Sequence, residues 1–189
     1  IGPIRKIKMN AKYPRLIQFD DGSMVMSTSA AKYGEANSIR SEFAGVRWKP
    51  FESALTEQAY CGMLVRNDGT TVVFSRQILP IVGEPGYYTT TRWESLDNGI
   101  TTQGPYTDGR VYLPPEQFSD ALEQGFYGNI IKLDDNSFVA AMHGQYQYSG
   151  SNSYRSYLVR STDGGVNWTY LSTITDNNTV ENLTQLQSL

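Results

Sequence analysis

Three times along this chain of 189 residues, two short β-rich runs flank an acidic turn. The segments are RLIQFDDGSMVMS (15–27), GMLVRNDGTTVVFS (62–75) and GNIIKLDDNSFVAAM (128–142). Gly22 and Gly69 follow the turn aspartate in the first two, and Asn136 takes that place in the third. These residue types tolerate the positive φ that a tight turn between antiparallel strands demands, so each segment predicts a β-hairpin. A second motif follows each hairpin. STDGGVNW (161–168) fits S-x-D-x-G-x-x-W in full. SLDNGITT (95–102) ends on Thr instead of Trp, and SEFAGVRW (41–48) has Phe43 in place of Asp. Arg40 and Arg160 stand just before the first and third copies. Asp97 lies 29 residues after Asp68, and Asp163 lies 28 after Asp135, so hairpin and motif repeat as one unit. The motifs start at 41, 95 and 161, a repeat of 54 and then 66 residues. That spacing, filled by four short strands per repeat, predicts the blades of a β-propeller.

Composition removes several alternatives. Hydrophobic residues at 39% and aromatics at 12% supply a packed core, which excludes a wholly disordered chain. A formal net charge of -3 gives no electrostatic reason to bind nucleic acid or anionic lipid. Nothing approaches the ~20 continuous apolar residues of a membrane-spanning helix. Cys61, the single cysteine, cannot form an internal disulfide, and no Cys/His spacing predicts a metal site. Helical periodicity is nearly absent; Glu116–Gln124 reads as a short helix-like excursion between repeats. The chain begins IGPIRKIK, without Met or a signal-peptide core, and is expected to be trimmed or partial. Sequons at Asn167, Asn177 and Asn182 point toward secretion.

The S-x-D-x-G-x-x-W pattern resembles the Asp-box, or BNR repeat, of the sialidase superfamily. The resemblance covers about residues 12–175. It implies an all-β chain, a sialidase-type β-propeller, with blades at about 12–50, 55–104 and 125–175 forming three consecutive antiparallel sheets. The polar tail 176–189 would run into a next blade. Family members typically close six blades, so the chain is expected to hold about half a propeller, with the remaining blades of a longer chain as its partner. The resemblance also assigns the box to structure. Asp97 and Asp163 accept hydrogen bonds from turn backbone, the box glycine takes a conformation other residues resist, and Trp48 and Trp168 pack between blades.

In such a fold the ligand sits at an axial mouth, where inner strands start and second strands leave. In sialidases an arginine opening the first inner strand clamps the substrate carboxylate. Tyr13-Pro14-Arg15-Leu16 places Arg15 at the matching point, in the order Pro-Arg rather than the family's Arg-Ile-Pro. A guanidinium fork grips a carboxylate through two parallel hydrogen bonds and stays charged. The family's general acid is an Asp in the loop leaving the second strand of blade 1. Here residues 27–40 hold a single acid, Glu35, which becomes the candidate catalytic acid. Arg76 and His143 occupy equivalent strand exits in the second and third blades and are candidate substrate-binding residues. His143 is the chain's one histidine and titrates near neutral pH. Glu57 and Glu123 precede inner strands as further carboxylates. Tyr146–Tyr157 offers faces for sugar stacking. The family's Tyr nucleophile, its Glu partner and its other arginines come from later blades.

Together these residues imply a secreted exo-acting glycoside hydrolase of the sialidase superfamily. It needs neither metal nor cofactor, and its substrate is a carbohydrate, the terminal sugar of a glycan or polysaccharide. Two rival readings stand beside it: an exo-arabinanase or uronate lyase on the same propeller, and a non-catalytic carbohydrate-binding or adhesion propeller.

Overall fold

The computed structural model of the protein describes residues 12–29, 38–51, 62–118, 124–148 and 151–174. Those residues hold thirteen strands and no helix. The first unit comprises β1 (Lys12–Gln18), β2 (Met24–Ser29), β3 (Ser38–Ser41) and β4 (Lys49–Pro50). They pair antiparallel in chain order. The second contains β5 (Gly62–Val65), β6 (Thr71–Phe74), β7 (Gln77–Pro80), β8 (Tyr87–Ser95) and β9 (Gln103–Tyr112). Its antiparallel meander is β5-β6-β8-β9, with β7 set aside. The third is the meander β10 (Gln124–Lys132), β11 (Phe138–Tyr148), β12 (Ser151–Ser161) and β13 (Asn167–Thr173). The excursion expected to be helix-like is a turn at 115–117, and Gln124 already belongs to β10.

The three hairpins turn in the same way. Phe19, Arg66 and Leu133 each donate their N–H to the carbonyl four residues on, and accept from the N–H three residues on. The acceptor turns put Gly22, Gly69 and Asn136 at φ of 78°, 83° and 64°. Asp21, Asp68 and Asp135 close each turn by accepting, through Oδ1, the N–H of Ser23, Thr70 and Ser137 at 2.8, 2.9 and 3.0 Å.

The eight-residue turns also share one geometry. Residues four and five have positive φ in every copy: Ala44 and Gly45, Asn98 and Gly99, Gly164 and Gly165. The leading serine Oγ accepts the N–H of residue five at 3.0 Å (Ser41), 2.8 Å (Ser95) and 2.9 Å (Ser161). Asp97 and Asp163 accept, through Oδ1, the N–H four residues on, at 2.8 and 2.9 Å. The indole N–H of Trp48 and Trp168 donates to the carbonyl of Gly45 and Gly165, both at 2.9 Å.

The second and third units are joined rather than separate sheets. β7 pairs with β8 on one side and β10 on the other, and the end of β9 runs parallel beside the start of β13. The pairings close a ring of seven strands, β8-β7-β10-β11-β12-β13-β9. Two glycines make the close approaches possible. A Cβ on Gly125 would lie 2.2 Å from the Arg76 carbonyl oxygen; one on Gly109 would lie 2.6 Å from the Val166 carbonyl oxygen. The gaps are used: Phe126 N–H donates to Arg76 O at 2.9 Å, and Arg110 N–H to Val166 O at 3.2 Å.

The core is two clusters, one at each junction between units. Ile17, Phe19 and Val25 of the first unit bury against Met63 and Val73 of the second. Leu64, Val72 and Phe74 bury against Phe126, Ala140, Met142 and Trp168 of the third. Trp168 is 1% exposed and packs edge-on to both Phe74 and Phe126, with centroids 5.8 and 5.5 Å away. Burial of an aromatic of this size contributes roughly 2–3 kcal/mol.

Candidate functional site

Strand direction separates two ends of the molecule. Hairpin turns and eight-residue turns share one end, since Ser161 at the start of the last such turn pairs with Phe138 just after its hairpin. The other end gathers the starts of β5, β10 and β12 and the exits of β6 and β11. Along β11, His143 is about 17 Å of extended chain from Phe138.

At this second end, four strands line up two rows of residues. Gln77, Gly125, His143 and Ser156 pair across β7, β10, β11 and β12; Ile78, Gln124, Gly144 and Arg155 form the adjacent row. With neighbouring strands about 4.8 Å apart, the backbones of Gln77 and His143 flank Gly125 at about 10 Å from each other. Arg76, exposed, is held by the hydrogen bond its carbonyl accepts from Phe126. His143 is half-buried, and Ser156 and Arg155 are buried behind the rim. Gln124 is fully buried and accepts from the Tyr157 hydroxyl at 2.9 Å. Burial, with the neighbouring Tyr88, pushes the Tyr157 phenol well above its ordinary range, so it stays a neutral donor. The rim therefore offers a guanidinium, an amide, an imidazole and a hydroxyl. That set suits the hydroxyls and carboxylate of a sugar acid.

Arg15 sits on β1 with its backbone paired to Ser27 at the same end of the first unit. Arg76 and His143, singled out from sequence, come together on either side of Gly125. Glu35, Glu57 and Glu123 lie outside the described residues. Of the Tyr-rich stretch, Tyr157 is buried beneath the rim, where it packs against Phe118 at 4.7 Å rather than facing a ligand. Asp97, Asp163, Trp48 and Trp168 all sit at the opposite, turn-bearing end.

From sequence, Gln77 and Gln124 stand at strand ends expected to line the mouth but carry no role of their own, and Arg155 was missed. The available signal was Gly125, a glycine inside a strand pattern, which marks a close backbone approach. Sequence reasoning also missed a chain of charges on the second unit. Arg92 donates to Asp108 at 2.5 Å and to Glu94 at 3.0 Å; Arg66 donates to Glu94 at 2.8 Å and to the Gly164 carbonyl at 2.7 Å. Burial pulls the Arg92 pKa down, but its bonds to Asp108 and Glu94 outweigh that and hold it above the usual value. Burial likewise raises the Glu94 pKa, and Arg66 and Arg92 overcome it to leave it low. Arg92 and Glu94 are two apart on β8, so they share a sheet face.

No protein-family model matches the chain, and no curated protein sequence is similar to it. Solved structures are similar in fold. A protein of unknown function from Dyadobacter fermentans superimposes with a TM-score of 0.57 at 17% identity, covering 92% of this chain and 57% of that one. A Hadza microbial sialidase gives 0.56 at 19%, covering 87% and 37%. An endo-arabinase from Bacteroides thetaiotaomicron gives 0.54 at 14%, covering 90% and 64%. The chain thus spans from about a third to two thirds of the length of these proteins. At such identities the likeness establishes the fold alone, an all-β, β-propeller architecture.

Proposed function

We propose that the chain is part of a secreted carbohydrate-processing propeller, an exo-acting glycoside hydrolase of the sialidase superfamily. The observation that carries this reading is the rim around Gly125, which puts Arg76 and His143 at the end where Arg15 also lies. Three further points support it: the Asp-box pattern in sequence, the β-propeller fold, and the enzymatic names of two of the similar structures. In this reading Arg15 and Arg76 hold the substrate carboxylate, His143 bonds sugar hydroxyls, and Glu35 protonates the leaving oxygen. The nucleophile and further arginines belong to blades beyond these three, in a ring of six.

The test is release of the aryl group from aryl sialosides, arabinofuranosides and glucuronides by the protein, with Glu35→Gln as the comparison. Turnover of the sialoside that falls at least about a hundredfold in Glu35→Gln supports the assignment. Turnover confined to arabinofuranoside or glucuronide would move the substrate class to those sugars. A non-catalytic carbohydrate-binding propeller is the second reading, favoured by one fact: the two rows around Gly125, with Arg76 beside them, hold no Asp or Glu. Binding without turnover of any of the three would establish it.

A further inference from the structure

From a cavity at the turn-bearing end, we infer that the molecule has a second ligand site, built by all three units, for a small hydroxylated carboxylate of the sugar-acid class. The site lies at the opposite end from the rim around Gly125 and does not depend on what that rim does.

The first strands of the three units converge there. β1 and β10, from the first and third units, approach within 8 Å between Cα atoms, and β5 of the second unit packs against β10. The ends of β1, β5 and β10, with the first two hairpin turns, enclose a cavity of about 370 Å³. That volume falls within the range of small-molecule sites, roughly 300–1,000 Å³. Its floor is apolar, since Ile17, Met63, Leu64 and Phe138 line it and are all buried.

Five polar side chains stand around that floor: Gln18 and Asp20 from the first unit, Arg66 and Asn67 from the second, and Lys132 from the third. Gln18, Asp20, Asn67 and Lys132 are exposed, and their side chains make no hydrogen bond or ion pair with any other described residue. Arg66 is fixed in place. Its Nε donates to the Gly164 carbonyl at 2.7 Å and its Nη2 to Glu94 at 2.8 Å. Gly164 makes room for that seat, because a Cβ there would lie 2.9 Å from Arg66 Nε. Arg66 Nη1 makes no bond with a described residue and keeps its donors for a ligand.

Each group narrows the chemistry of that ligand. The Asp20 carboxylate only accepts, so the ligand must donate to it, as a hydroxyl does. The amides of Gln18 and Asn67 donate and accept, and match hydroxyls in either sense. Lys132 and Arg66 only donate and both are cations, so they call for an acceptor with negative charge. Within the lining, two cations face the one carboxylate of Asp20. A single anionic group balances that excess, whereas a doubly charged phosphate overshoots it. Several hydroxyls with one carboxylate are the make-up of a sugar acid. A cationic ligand would meet two like charges, and a wholly apolar one would strip water from five polar groups without replacing it.

The test is isothermal titration calorimetry of the protein with glucuronate, methyl glucoside, acetate and glucose 6-phosphate. The expected result is saturable binding of glucuronate, at least about tenfold tighter than of the other three. Lys132→Met should weaken it by about tenfold or more and bring glucuronate level with methyl glucoside, and Gln18→Ala should weaken it severalfold. Both positions are exposed, so either variant serves should the other fail to fold, as judged by circular dichroism. Arg76→Ala, at the far end, should leave this binding intact. Absence of saturable glucuronate binding overturns the proposal. So does binding that Arg76→Ala abolishes and Lys132→Met spares, which would put the ligand at the rim. Acetate, methyl glucoside or glucose 6-phosphate binding as tightly as glucuronate also overturns it, since each lacks part of the ligand inferred.

Discussion

Asp163 and Arg15 have opposite duties, and the difference is one of position. Asp163 accepts the N–H groups of Val166 and Asn167, the Asn167 amide and the Ser161 hydroxyl. Burial raises its pKa, but these bonds outweigh it and hold the carboxyl below its ordinary value. Asp163→Ala should cost about 1–2 kcal/mol and lower the melting temperature while leaving KM for a glycan unchanged. Arg15→Ala should do the reverse, weakening an acidic glycan roughly tenfold to a hundredfold at nearly constant stability, with Arg15→Lys a poor rescue. Kinetics and thermal unfolding on both variants check the pair; turnover lost in Asp163→Ala at unchanged stability would contradict it. The Asp and Gly of the turn were legible because their chemistry is local. The serine was not. Ser41 makes the same bond to the glycine N–H as Ser95 and Ser161, which is how SEFAGVRW keeps the turn with Phe43 where the others have Asp.

At the scale of elements, hairpins could be read from sequence and β7 could not. A hairpin announces itself through turn residues and alternation over adjacent runs. β7 is four residues, QILP, with a proline and no alternation, and its partners are eight to ten and more than forty residues away. What fixes it is the absence of a side chain at Gly125. Gly125→Ala would press a methyl onto the Arg76 carbonyl, where both sides are backbone and neither yields cheaply. The expected cost is about 1–3 kcal/mol. Faster amide exchange should appear at Phe126, whose N–H depends on that carbonyl. Gly109→Ala should act likewise on Arg110, since its methyl would meet Thr90 Oγ1 and Val166 O. Unchanged stability and exchange in both would show that the two bridges between units are incidental.

Across the whole molecule, carboxylates fasten unit to unit, and their register over the chain is what no local pattern reveals. Asp21 answers Asn98 at a distance of 77 residues, and Arg66 answers Gly164 at 98. Several carboxyls, at these seams and within the units, have a pKa held below the ordinary value. Hydrogen bonds from Ser23 do this for Asp21, and those from Ser137 for Asp135; Asp108 is held low by Arg92, and Glu94 by Arg66 and Arg92 against its burial. A group whose folded pKa is depressed stabilises the fold above its unfolded value, here 3.8 for Asp and 4.5 for Glu, and loses that contribution as pH falls through the folded value. Stability should therefore be flat near neutrality with respect to these groups and should drop steeply below about pH 4.5. Each exposed pair contributes little alone, so the half-buried Glu94 is the informative one. Glu94→Gln should lower the melting temperature at pH 7, because Arg66 and Arg92 lose their shared anion. The same variant should lose less than the parent between pH 5 and 3, in a melting series where Arg92 is retained. A variant that tracks the parent in parallel down to pH 3 would show that Glu94 does not carry the acid sensitivity of the seam between the second and third units.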